Sequence, residues 1–272
     1  MVHLKYTNRI IGGIVGDVVG SVYEFDNIKS KDFVLFGDHR GQKCFATDDS
    51  IMTLAVCDAF IKSAPYYEHL DENLVKSMQE IGRPYPDCGY GGRFFEWMYS
   101  DNPQPYNSFG NGAAMRVSAA AYAARSLSET LDFARITAEV THNHPDGIKG
   151  AQATAGCIHL ALHGYDFLKI ERFAEHYYDL DFTLHGIRDT YRFNETCQET
   201  VPQAIVAFLE STDFEDAIRN AISIGGDSDT LACITGSIAG AYYGVPSEIA
   251  DKALCYLNPQ LREIYDRFVE EF

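Results

Sequence analysis

Branched aliphatic residues recur at three- and four-residue spacing near the start of the chain. Ile10, Ile11, Ile14, Val15, Val18, Val19 and Val22 mark one face of a helix over roughly 8–22. Gly12, Gly13, Gly16 and Gly20 fall in the same stretch and cost helix propensity. Such a helix is expected where another backbone approaches it closely. Helical periodicity continues over 49–62, 71–81, 92–100, 112–125, 129–141, 148–163, 167–179, 201–210, 214–224, 230–243 and 261–271. Ser128 ahead of Leu131, Phe133 and Ala134 marks one start, and Thr200 followed by Pro202 another. Strand alternation is scarce, and KDFVLF at 31–36 is the one modest candidate. No linker, low-complexity tract or repeat interrupts the pattern, which reads as one all-α domain of many short helices.

Composition narrows the function. With 46% hydrophobic and 22% charged residues, the chain has the makings of a core rather than of disorder. Its 22 Lys and Arg stand against 39 Asp and Glu, a formal net charge of −17. That field repels phosphates and argues against a generic nucleic-acid or anionic-membrane binder. A local anion site built from backbone N–H groups or bound cations stays open. The start, MVHLKYTNRIIGGIVGDVVGS, lacks the pattern of a targeting segment, its apolar residues being broken by Asn8, Arg9 and Asp17. No run approaches the ~18 apolar residues of a membrane helix. The seven cysteines form no CxxC pair, and Cys57, Cys157 and Cys233 lie in apolar, Ala-rich runs. This usage points to a reducing, cytoplasmic setting.

Between the helices, five segments are richer in Gly, Asp, Asn and His than connectors need: 16–25, 45–50, 88–94, 108–116 with 141–145, and 224–230. Two of them carry acids. Thr47-Asp48-Asp49-Ser50 precedes an apolar run, and for that segment alone helix capping is the simple reading. Asp227-Ser228-Asp229-Thr230, introduced by Gly225 and Gly226, also precedes an apolar helix. Four carboxylates and two threonine hydroxyls are thus offered at two helix starts. These hard oxygen donors suit Mg²⁺, Mn²⁺ or Ca²⁺ rather than Zn²⁺. Brought together without cations they would repel one another, so a divalent metal pair is the economical explanation if the segments converge. A DDxxD motif fails because position 52 is Met52, and neither segment has the EF-hand spacing.

The remaining candidates are weaker one by one. Glu24 follows the Gly-rich helix, where an exposed carboxylate is the default. His142 and His144 flank Asn143 after an apolar helix, a place where capping or packing is the common fate. The glycine loops 89–92 and 110–112 read either as turns or as backbone N–H groups presented to a diphosphate. Neither a P-loop nor a strand–GxGxxG–helix unit is present.

Taken together, the segments resemble the ADP-ribosylglycohydrolase family, which includes dinitrogenase reductase-activating glycohydrolase and the eukaryotic ADP-ribosyl-acceptor hydrolases. The resemblance is carried by GGIVGDVVGSVYEF near the start, TDDS at 47–50, CGYGGRF at 88–94, SFGNGAAMRVSA at 108–119, THNHPDGIKGA at 141–151 and SIGGDSDTLACITGSIAGAYYG at 223–244. Spacing is most similar to the branch containing the serine- and poly(ADP-ribose)-directed hydrolase. The resemblance implies a compact single-domain, multi-helix orthogonal bundle over 1–272, with a binuclear metal site at one end holding two Mg²⁺ or Mn²⁺. By matching position, Thr47, Asp48, Asp49, Asp227, Asp229 and Thr230 would be metal ligands, and Glu24 the glutamate of the loop over the metals. Gly89 and Gly91, with Ser108, Gly110 and Asn111, would contact diphosphate and ribose. Phe109 would border the distal ribose or adenine, and His142 would help hold the diphosphate. Ser50 and Ser228 stand where Thr is frequent, keeping a hydroxyl. The segment 146–151 is less aromatic than in some relatives, which bears on substrate preference.

The expected activity is hydrolysis of the α-glycosidic bond between ADP-ribose and an acceptor, an N- or O-linked protein side chain or other conjugate, with release of ADP-ribose. Glu24 is the preferred general acid or base and Asp49 the next candidate, since the other carboxylates would be occupied as ligands. A non-catalytic ADP-ribose binder would keep the glycine loops and tolerate loss of Glu24. A structural protein of this fold would tolerate loss of the aspartates, and a hydrolase of a small ribosyl conjugate is the alternative among enzymes. The intact carboxylate set disfavours the first two. The expected partner is an ADP-ribose-bearing substrate, an ADP-ribosylated protein among the options; nucleic acid enters only as an ADP-ribosylated acceptor, and no membrane is involved.

Overall fold

Fifteen helices make up the regular structure among residues 10–272, the span described by this computed structural model. They are α1 (Ile11–Gly20), α2 (Asp48–Ser63), α3 (Leu70–Gly82), α4 (Gly92–Tyr99), α5 (Gly112–Met115), α6 (Ser118–Ala123), α7 (Leu127–Glu139) and α8 (Pro145–Leu162). The series continues with α9 (Phe167–Ala174), α10 (Leu184–Ile187), α11 (Cys197–Leu209), α12 (Phe214–Ser223), α13 (Ser228–Tyr243), α14 (Ser247–Leu254) and α15 (Pro259–Glu271). The fold is all-α, as the periodicity predicts, and forms one domain.

The glycines of α1 do what their cost requires. A Cβ on Gly12 would sit 2.2 Å from the Gly236 carbonyl oxygen, and one on Gly16 1.9 Å from that of Ala232. Only hydrogen fits there, so α1 and α13 touch backbone to backbone. Both helices are buried along almost their whole length, α1 entirely and α13 from Ser228 to Ala241. Around this pair the other helices lay their apolar faces, α2 against α3, α7 against α8, and α11 and α12 against α13. Because α1 and α13 are locked together, the chain leaving α1 at Gly20 lies over the start of α13: a Cβ on Gly20 would meet the Asp229 Cα at 2.5 Å.

Several expected boundaries move for local reasons. The stretch 112–125 divides into α5 and α6, because the Arg116 and Val117 N–H groups both turn back to the Ala114 carbonyl instead of reaching back four residues. Ser126, not Ser128, caps α7, accepting the Glu129 N–H at 3.2 Å. The helix expected from Thr200 begins earlier, at Cys197, which puts Pro202 inside it. The 167–179 stretch stops at Ala174, and the short α10 and α14 have no counterpart among the expected helices. The first helix is expected from about residue 8; residues 8 and 9 lie outside the described span. Segment 31–36 is not a strand. Arg219 donates to the Lys31 and Phe33 carbonyls at 2.8 and 2.7 Å, and Phe36 turns the chain with φ +57°. A guanidinium takes the place of a neighbouring strand. None of the described helices is long and apolar enough to cross a membrane, and all seven cysteines are free thiols.

Candidate active site

The site is assembled on Asp17, a carboxylate fully buried inside α1. It accepts four hydrogen bonds from the start of α2. The Thr47 N–H reaches it at 3.0 Å, the Thr47 hydroxyl at 2.6 Å and the Ser50 N–H at 3.1 Å, and the Ser50 hydroxyl also donates to it. Burial pushes the Asp17 carboxyl up to about 6 while these donors pull it down. Thr47 is itself the cap of α2, its Oγ1 accepting the Asp49 N–H at 3.2 Å. Both aspartates that follow are thereby fixed in the first turn.

Asp48 and Asp49 face different neighbours. The Asp48 N–H donates to the Cys88 carbonyl at 3.1 Å, drawing the 88–92 loop over the carboxylate. Gly89 closes that contact at φ +120°, where a Cβ would lie 2.6 Å from Asp48 Oδ1. Glycine is required there on both counts. Asp49 Oδ2 accepts the Thr230 hydroxyl at 3.1 Å, joining α2 to α13. Asp49 Oδ1 is buried and has no hydrogen-bond partner.

The 227–230 segment arrives from the other side. Gly225 and Gly226 both have positive φ and swing the chain into α13. The Asn27 amide clamps this turn, receiving the Gly226 N–H at 2.8 Å and donating to the Gly226 carbonyl at 2.9 Å. It thereby ties the loop carrying Glu24 to the loop carrying Asp227. Asp227 Oδ2 accepts from Asn111 Nδ2 at 2.7 Å, and the Asn111 N–H donates to the Glu195 carbonyl at 2.8 Å. Glu24, Asp227 and Asp229 each offer one oxygen, and these three atoms lie within 4.8 Å of one another.

Such a cluster is unfavourable by itself. Burial, then the charges of Asp227, Asp17 and Glu195, push Glu24 up to about 7. Burial and mutual repulsion hold Asp48, Asp49 and Asp229 well above the usual carboxylate range, and burial raises Asp227. An orphaned buried oxygen beside converging hard oxygen donors fits divalent cations of the Mg²⁺ or Mn²⁺ type.

The other end of the same cleft, which encloses about 270 Å³, is of a different character. Gly89, Gly91, Ser108, Gly110 and His142 line it, together with Tyr106, Arg93 and Arg116. Ser108 Oγ accepts the Gly110 N–H at 3.2 Å. Arg93 lies over the Tyr106 ring, 4.8 Å from its centroid. His142 is buried, and burial followed by the Arg116 and Arg93 charges pushes its pKa well down, so the ring is neutral. His144 instead caps α8, its Nδ1 accepting the Asp146 N–H at 3.1 Å.

Of the residues to which the resemblance gives a catalytic, metal-binding or substrate-binding role, all but two line this cleft. Thr47 stands behind it, engaged with Asp17. Phe109 is outside, 44% exposed, its ring 5.3 Å from His144. Sequence reasoning missed Asp17, Arg93, Tyr106, Arg116, Phe193 and Glu195. For Asp17 a signal was available, since a lone carboxylate inside an apolar, glycine-rich helix must be buried with partners.

An all-helical fold with acid clusters at two helix starts and a glycine-lined cleft defines a class, and comparison with known proteins identifies it. Residues 3–272 match the model of the ADP-ribosylglycohydrolase family, and the chain belongs to that family. It is 27% identical to ADP-ribosylhydrolase ARH3 of Homo sapiens, over 89% of this chain and 86% of that protein. It is also 27% identical to ADP-ribosylarginine hydrolase Tri1 of Pseudomonas putida (strain GB-1), over 95% of this chain and 77% of the relative. A solved structure titled ADP-ribosylglycohydrolase-related protein complex shares the fold, with a TM-score of 0.70 at 23% identity, covering 97% of this chain and 96% of the other.

Proposed function

We propose that residues 1–272 act as a single ADP-ribosylglycohydrolase domain that hydrolyses ADP-ribose conjugates. In this reading it cleaves the α-glycosidic bond at C1 of the distal ribose, N- or O-linked to an acceptor, and releases ADP-ribose. Family membership supports the substrate class, and the names of the relatives agree with it. The observation that carries the chemistry is the convergence of Glu24, Asp227 and Asp229 within 4.8 Å, beside the unpartnered Asp49 Oδ1, in one cleft with the glycine loops.

Asp48, Asp49, Asp227, Asp229 and Thr230 would hold two Mg²⁺ or Mn²⁺ ions, and Thr47, whose hydroxyl is engaged with Asp17 and the Asp49 N–H, would join them only through its remaining lone pair. Bound there, the ions would neutralise the acidic end and orient the ribose hydroxyls. Hydrolysis breaks the bond from C1 to the acceptor and forms a bond from C1 to a water oxygen, through an oxocarbenium-like state. Glu24 takes the proton of the attacking water and the departing acceptor nitrogen or oxygen gains one in exchange, a role that suits Glu24 because it projects from the loop after α1 and stays half-exposed while Asp49, Asp227 and Asp229 are buried. Asp49 is the next candidate. Gly89, Gly91, Ser108, Gly110, Asn111 and His142 would hold diphosphate and ribose through backbone and side-chain donors. Phe109, at the rim, would reach an adenine or ribose protruding from the cleft. The seven free thiols favour a reducing, cytoplasmic compartment.

The test is a panel of conjugates, with ADP-ribose linked to arginine, to serine, to acetate, in poly(ADP-ribose) and on a nucleic-acid end. Each is incubated with the protein and Mg²⁺ or Mn²⁺, and free ADP-ribose is measured. Release from at least one member, abolished by EDTA, is expected. ADP-ribose binding without release from any member overturns the enzyme reading in favour of a binding module.

A further inference from the structure

The glycine-lined end of the cleft contains a buried cation with no anionic partner. Arg116 sits at the break between α5 and α6, is 1% exposed and lines the cleft. Its Nη2 donates to Thr141 Oγ1 at 2.6 Å and, at 3.4 Å, to the Thr137 carbonyl. Nε is buried with no hydrogen-bond partner, the guanidinium carbon lies 5.6 Å from the Phe94 ring centroid, and no carboxylate reaches ion-pair distance among the described residues, Asp48 acting on it only through space. In a chain with 39 acidic residues this is a specific arrangement. A guanidinium removed from water without an anion is unfavourable, and one facing a cavity is offset by an anion that enters it.

The bond to Thr141 has a second consequence. Thr141 Oγ1 also lies 2.7 Å from His142 Nδ1. Arg116 donates to this hydroxyl, and among the described residues Nδ1 is the one acceptor in reach of the hydroxyl proton, so the arrangement that satisfies every group has the hydroxyl donating to Nδ1. His142 therefore carries its single proton on Nε2. That atom faces the 110–112 turn, where a Cβ on Gly110 or Gly112 would come within 3.4 or 3.3 Å of it. His142 is neutral and brings a hydrogen bond without charge. Arg93 is exposed at the rim, where solvent and salt screen it.

We infer that Arg116 is the resident counter-charge of the diphosphate subsite, and that through Thr141 it holds His142 as an Nε2–H donor toward the phosphate oxygens. This rests on the ADP-ribose reading given above. Arg116 is a positioning residue here.

The experiment measures affinity for ADP-ribose and for adenosine by calorimetry with Mg²⁺ present, in wild type, Arg116→Met, Arg116→Lys and Thr141→Val. Arg116→Met is expected to lower the ratio of ADP-ribose to adenosine affinity roughly 10–100-fold, the worth of a charged hydrogen bond. Its ligand-free thermal midpoint should stay level or rise, since an uncompensated buried charge has been exchanged for a methionine. Arg116→Lys should restore part of the ratio. Nitrogen-15 spectra should show His142 protonated on Nε2 in wild type and no longer fixed so in Thr141→Val, which also binds ADP-ribose more weakly. An unchanged ratio in Arg116→Met, or an equal loss for both ligands, overturns the inference. If Arg116→Met does not fold, an unchanged ratio in both Arg116→Lys and Thr141→Val overturns it instead. Wild type that binds adenosine as tightly as ADP-ribose overturns the substrate reading itself, and this inference with it.

Discussion

Asp17 and Glu24 belong to the same stretch of chain and play opposite parts. Asp17 accepts four hydrogen bonds, all from the start of α2, and braces the acids that follow. Asp17→Asn would turn one acceptor oxygen into a donor facing the Thr47 and Ser50 donors. It should cost about 2–4 kcal/mol of stability and weaken metal binding, read by urea unfolding and by calorimetry with Mn²⁺. A variant as stable as wild type would remove the bracing role. Glu24 makes no such structural network, so Glu24→Gln should keep the fold and ADP-ribose affinity while losing turnover by ~10²–10⁴-fold or more. Turnover measured across a Mg²⁺ titration separates the two explanations of such a loss, because added metal rescues a weakened site but not an absent proton acceptor. Full turnover in Glu24→Gln would transfer the role to Asp49. The acids at 47–49 and 227–230 were legible because two similar runs at helix starts are conspicuous. Asp17 was not, because one acid in an apolar helix looks like an interruption until its four donors are seen. Arg116 was hidden for the same reason, since nothing in a linear sequence says which arginine lacks a counter-ion.

Helices were legible wherever the apolar face was longer than about three turns, and their pairing was legible in one case. The glycines of α1 announced a close backbone contact, and α13, with Gly236 and Gly240 on its own face, receives it. What could not be read was where local hydrogen bonds override periodicity, as at Arg116, which divides 112–125, and Arg219, which replaces a neighbouring strand for 31–36. The α1–α13 contact also sets the spacing between Asp17 on one helix and Asp229 on the other. Gly16→Ala pushes a methyl into the Ala232 backbone, which cannot yield as a side chain tip would. A loss of about 3 kcal/mol or more is expected, together with weaker metal binding as the acids separate. Gly91→Ala is the control on the opposite wall, because a Cβ there meets nothing within 4 Å. Its thermal midpoint should match wild type. Equal midpoints for both variants would mean that the helices slide apart freely and that their contact does not position the site.

At the scale of the whole molecule, the acidic end makes the metal-free protein respond to pH in the reverse of the usual direction. The folded state holds Asp17 at about 6 against 3.8 and Glu24 at about 7 against 4.5, and it raises Asp48, Asp49, Asp227 and Asp229 as well. Between roughly pH 4 and 7 the folded chain therefore binds more protons than the unfolded one, and stability falls as pH rises. That contribution is fully present below the unfolded values and is lost through the folded ones. Two histidines work the other way: His159, lowered to about 4 by burial and by His163, and His142, held well below the usual imidazole range by burial and by the Arg116 and Arg93 charges. Both bind a proton more readily when unfolded, so they favour the folded state as pH rises between about 4 and 6.5. Six acids outweigh two histidines even though the acids share protons, and the formal charge of −17 adds self-repulsion in the same direction. In EDTA the thermal midpoint at pH 5.5 should exceed that at pH 7.5 by several degrees. Saturating Mg²⁺ or Mn²⁺ at pH 7.5 should raise the midpoint, because cations that bind only the folded state stabilise it by mass action, and should flatten the pH dependence. Asp48→Ala and Asp229→Ala should lose the response to metal. A metal-free protein that gains stability steadily from pH 5.5 to 7.5 would show that the carboxylates do not converge in solution, and with that the case for a cation site between α2 and α13 would fail.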